Sequence, residues 1–238
     1  MKTVMNMTSV LAMTLSLAAC GKAGTSGSTA SRTANTTANA TATTAALPST
    51  GDAAILAAAE PFEKLTETAF SAAPAALDTT IGEVRTAAAT VRGKLSADLA
   101  TNLDARLAAI GAARASDDRA GLAIAAVEGY RVLVSGVAPG AKVPTEVNLL
   151  DYAGFRYDAD LKAKPARWDD MKQSVAFGRE QWAAIAPRVT DAGLAGKMDA
   201  SLTEMGKAVG ARDAKAAAAV AQRELALVDD LETFFKAN

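Results

Sequence analysis

The chain of 238 residues has no histidine and a single cysteine, Cys20. The first absence removes Ser-His-Asp catalysis, histidine-ligated zinc and the Glu-x-x-His ligands of di-iron bundles. The second removes any internal disulfide and any Cys-x-x-Cys-His haem attachment. With no imidazole to activate it, Cys20 is a poor candidate nucleophile. Glycines 136, 140 and 154 fit neither a dinucleotide nor a phosphate-loop spacing. Lysine and arginine (25) balance aspartate and glutamate (26), so no basic field invites nucleic acid. Aromatics are only 5% of the chain, and β-branched runs of the strand type are missing. These exclusions lead to the expectation of a non-enzymatic protein with no catalytic residues, no metal ligands and no cofactor.

What is present begins at the N-terminus. Lys2 is followed by an uncharged run from Val4 to Ala19. This run has the length of a signal-peptide hydrophobic region and is short of the roughly 20 residues that span a bilayer. Leu17-Ala18-Ala19-Cys20 resembles the bacterial lipoprotein lipobox. The resemblance implies a signal peptide over 1–19, cleavage after Ala19, diacylglycerol on the Cys20 sulfur and acylation of the new amino terminus. Several acyl chains anchor a protein stably where one does so marginally. The implied place is the cell envelope, facing the periplasm, with Gly21 favouring the outer membrane over the inner. Residues 20–50 then form an Ala/Thr/Ser-rich tether that lacks the large apolar side chains needed to offset ordering entropy. As a flexible coil, the tether would reach on the order of 30 Å.

Residues 51–238 are enough for one core, and their alanine content favours helix. Leu77, Ile81, Val84, Ala88, Val91 and Leu95 step by four and three, the mark of one helix face. The seam resumes after a phase slip at Leu99, Leu103, Leu107 and Ile110. Either one long helix carries a stutter, or Ser96 caps a fresh helix. A turn at 113–118, with Ser116 or Asp117 as N-cap, leads to a helix ending near Val137. Further helices are expected over 145–163, 168–186, 194–209 and 213–235. The stretch 51–73, interrupted by Pro61, is expected to pack outside as an accessory helix.

An internal repeat underlies this pattern. Residues 99–126 align with 194–221 at an offset of 95, with ten of 28 positions identical. Besides alanines, the matches are Leu99/Leu194, Asp104/Asp199, Leu107/Leu202, Gly111/Gly206 and Asp118/Asp213. Two repeated helical hairpins predict an all-α, antiparallel four-helix-type bundle with accessory helices. Asp118 and Asp213 are expected in first turns or as N-caps, and Gly111 and Gly206 at helix crossings or C-terminal turns. Met171, Met198 and Met205, with Glu180 and Glu204, could suggest soft-metal capture. Yet Met198 and Met205 match Leu103 and Ile110, which marks them as core.

One stretch, 143–161, concentrates polar and aromatic side chains. As a helix it carries Leu150, Tyr157 and Leu161 on one face and Asn148, Tyr152, Phe155 and Ala159 on another, so it should wedge across the bundle. It is either a structural plug or a pocket. In the pocket reading, Tyr152, Tyr157 and Trp168 line the space, while Asn148, Asp151 and Arg156 supply polar groups. The function expected is a lipid-anchored binding or interaction module, partnered by the membrane and by an envelope protein or small ligand, not by nucleic acid. The alternative is a periplasmic bundle that binds a small ligand or metal near 146–168.

Overall fold

Alanine-rich amphipathic segments, several of them opened by a side-chain cap or a proline, fold into eight α-helices in the computed structural model, which describes residues 50–238. They are α1 (Thr50–Thr68), α2 (Pro74–Val91), α3 (Ala97–Ala115), α4 (Arg119–Val134), α5 (Thr145–Lys162), α6 (Trp168–Ile185), α7 (Ala192–Ala211) and α8 (Ala214–Ala237). Single 3-10 turns follow α2 and α6. Among the described residues there is no strand, and no helix is long and apolar enough to cross a membrane. The expected signal peptide, Cys20 and the tether up to residue 49 lie outside the described residues.

Local chemistry explains the breaks. Ser96 Oγ accepts the Leu99 amide at 3.3 Å, so a new helix starts there and the long-helix alternative falls. Asp191 caps α7 at the equivalent place, accepting the Gly193 and Leu194 amides. Asp118 and Asp213 cap α4 and α8 in the same way. The α4 cap is therefore Asp118 rather than Ser116 or Asp117. Asp117 instead takes a left-handed conformation (φ 52°) at the turn, as Arg212 does (φ 50°) one residue before Asp213. Left-handed residues of this kind close helices so that the next can reverse.

The repeat extends beyond the two hairpins. Each helix of the second half begins 94 or 95 residues after its counterpart: Thr50/Thr145, Pro74/Trp168, Ala97/Ala192 and Arg119/Ala214. Packing repeats as well. The α1–α2, α1–α4 and α3–α4 pairs match α5–α6, α5–α8 and α7–α8. The all-α bundle is thus a duplicated set of four helices, joined where α4 packs on α5.

α1 is not peripheral. Its Ile55, Ala58, Ala59, Phe62 and Leu65 are buried in the first-half core, and the helix runs through Pro61. Phe62 lies against Gly129 of α4, where an added Cβ would fall 2.5 Å from Phe62 Cδ1. The second half solves the same crossing with the small residue on the other helix. There Gly154 of α5 makes room for Glu224 of α8, which stands at the position of Gly129. Gly111 and Gly206 sit inside α3 and α7, each beside an arginine of the preceding helix, Arg85 and Arg179.

Candidate functional site

The two apolar faces of α5 go to different cores. Tyr152, Phe155 and Ala159 join the first half, and Val147, Leu150 and Tyr157 join the second. Asp151 and Asn148 fall between these faces. They floor a cleft of about 600 Å³ whose walls are α1 and α8. Glu60 and Glu63 project from α1, and Asp229, Glu232 and Lys236 from α8. Tyr130 of α4 and Lys142 with Val143 of the α4–α5 loop complete the lining.

Five carboxyls therefore share a space with two ammonium groups. Lys236 is taken by Glu232 at 2.5 Å, while Glu60, Glu63, Asp151 and Asp229 form no ion pair among the described residues. Burial first, then the charges of Glu67, Glu232, Asp229 and Glu60, push the Glu63 carboxyl up to about 7. Asp151 is driven well above the ordinary carboxylate range by burial and then by Glu63 and Glu232. A hydrogen bond from Tyr130 Oη (3.3 Å) to Asp151 offsets this only in part. Behind Asp151, Glu224 is fully buried and neither of its oxygens has a hydrogen-bond partner. Burial and the Asp151 charge hold its carboxyl well above the usual range. Among the described residues no three carboxylates converge as a metal-binding group.

The other residues expected in a pocket lie elsewhere. Tyr152 and Arg156 border a separate recess of about 270 Å³ with Arg131, Asp170, Gln173, Ser174 and Phe177. Tyr152 packs edge-on against Phe177 and under the Arg131 guanidinium, and its hydroxyl donates to Glu128 at 2.8 Å. Arg156 bonds Glu128 and donates to Asp160 at 2.9 Å, tying α4 to α5. Asp160 is fully buried, and burial outweighs Arg156 and Arg167 to push its carboxyl up to about 6. Arg131, Tyr152, Arg156, Asp170, Ser174 and Phe177 in this recess are already committed to one another. Tyr157 has no exposure and its hydroxyl donates to the Met205 carbonyl at 3.4 Å, while Trp168 packs on the second core. Met171, Met198 and Met205 are also core.

Of the six expected ligand-binding residues, the structure thus brings Asn148 and Asp151 into one cleft and Tyr152 and Arg156 into another. Glu60, Glu63, Asp229 and Glu232 were not anticipated. Their only sequence signal is acidic spacing of three along α1 and α8, which in isolation describes any solvated helix face. No protein family, curated protein or solved structure matches the chain.

Proposed function

We propose that this protein is a lipid-anchored, non-enzymatic binding protein of the bacterial envelope. Its helical domain takes a small organic cation, an amine with an aliphatic body, in the cleft between α1, α5 and α8. The observation that carries this reading is the set of unpaired carboxyls on two facing helices around a space of ligand size. Pockets of several hundred Å³ with mixed apolar and polar lining suit small molecules. An ammonium group placed there would relieve repulsion already present, and Leu56, Val143 and the alanines of α1 would receive the methylene chain. Tyr130 and Asn148 add neutral hydrogen-bonding groups.

Isothermal titration of the full chain with spermidine and with 1,5-diaminopentane tests the reading. The expected result is saturable one-to-one binding, weakened at least tenfold in the double variant Glu63→Gln, Asp229→Asn. Absence of saturable heat, or equal affinity in the variant, overturns it. Anchoring is tested separately: Cys20→Ser should release the protein from membranes, and retention refutes acylation.

A further inference from the structure

The duplicated packing leaves one seam unmade. α4 touches α1 of its own half and α5 of the other. If the two halves were equivalent throughout, α8 would touch α5 of its own half and α1 of the other. The first of these contacts is made. At the second, α1 and α8 are not a packed pair, and the acidic cleft lies between them.

The residues at equivalent positions differ in kind. At an offset of 95, Glu60, Asp229 and Glu232 correspond to Phe155, Val134 and Val137, all buried in the first core. Glu63 corresponds to Asp158, whose charge Lys162 meets at 2.6 Å. One seam is thus closed, by these apolar residues and by the Arg156–Glu128 bridge, and its counterpart is lined with like charge and open. Like charges facing across low-dielectric walls repel strongly, and removing the charge removes the barrier.

We propose that the α1–α8 seam is a charge-gated joint, open when its carboxylates are ionised and drawn together when they are neutralised by protons or by a cation. Glu63 is the trigger, because it faces the largest set of like charges. Glu60 and Glu67 lie on its own helix, Asp229 and Glu232 on α8, and Asp151 on α5. Tyr130 of α4 is also at the cleft, as are the cations Lys142 and Lys236, the latter held by Glu232. On α2, Glu83 is occupied by Lys64 at 2.8 Å and adds no free charge. The carboxyl of Glu63, at about 7, places the gate near neutrality.

The test measures the α1–α8 separation directly. Spin labels are placed at Ala57→Cys and Thr233→Cys in the full chain carrying Cys20→Ser. The expected distance shortens by several ångströms between pH 8 and pH 5, with a midpoint near 7. The triple variant Glu63→Gln, Asp229→Asn, Glu232→Gln should show the short distance at pH 8. In the unlabelled chain, backbone amides of α1 should gain at least tenfold protection from exchange, after correction for intrinsic rate, over the same pH drop. One distance at both pH values, or a triple variant that stays open at pH 8, overturns the proposal. So does unchanged α1 protection. The joint does not depend on the ligand reading: amine binding can fail while protons still close the seam.

Discussion

Replacing Gly129 by alanine tests the docking of α1, on which one wall of the cleft depends. Phe62 has no solvent exposure, and its ring edge fills the space that a Cβ at position 129 would need. In an exposed helix the change from glycine to alanine stabilises by about 1 kcal/mol. Here that gain is opposed by overpacking, which costs about 1–3 kcal/mol where neighbours can adjust. If the ring is expelled instead, the cost rises toward the ~3–5 kcal/mol of a buried Phe→Ala change. Gly129→Ala should therefore destabilise by about 2–4 kcal/mol. The assay is denaturant unfolding of the single variants, Phe62→Ala and Gly129→Ala, and of the double. Because truncating Phe62 empties the space the new methyl needs, the double variant should cost less than the sum by at least ~1.5 kcal/mol. A neutral Gly129→Ala, or strict additivity, would falsify the contact and with it the placement of α1.

Three further outcomes follow from the buried charges. Between pH 4.5 and about 7 the folded chain keeps a proton on Glu63 that the unfolded chain has released, so stability falls as pH rises through that window. Discounted for solvent screening, the effect is about 1–2 kcal/mol, and Glu63→Gln should flatten that part of the stability profile. A profile unchanged by the variant refutes the assignment. Glu224→Met should stabilise the protein by about 1–3 kcal/mol at pH 7, since it removes two buried oxygens that lack partners. Loss of stability on urea unfolding would show that those oxygens are satisfied after all. Arg156→Met should cost about 1.5–3 kcal/mol at pH 7, because Glu128 and Asp160 lose their nearest cation and keep Arg131 and Arg167. Without Arg156 the Asp160 carboxyl protonates at a higher pH than its present value of about 6, so part of this should return as pH falls from 8 toward 6, and a deficit independent of pH would argue against the pairing.

Much of the fold was legible along the chain because helices declare themselves locally. The seam at Leu77 to Leu95, the cap at Ser96 and the prolines before α5 and α6 each act within a few residues. The equivalence of Asp118 and Asp213 was readable for the same reason, since a cap needs only the amides that follow it. The dual character of α5 was readable too, as two apolar faces on one helix demand two neighbours. The candidate site was legible only at Asn148 and Asp151. Tyr157 and Trp168 carry ring surface suited equally to a core or a pocket, and only their neighbours choose between the two.

Sequence alone determined the helices, their boundaries to within a few residues, and the repeat from which a bundle follows. All of these rest on periods and caps whose range is a turn or two. Tertiary structure decided that α1 belongs to the core, because Phe62 meets Gly129 from 67 residues away. It also decided that Glu60, Asp229 and Glu232, whose counterparts in the other copy are apolar, share one open gap. Glu60 and Asp229 are ordinary surface carboxylates until folding sets α1 opposite α8. Their significance is a matter of distance across a gap, and distance between remote segments is what local pattern cannot carry.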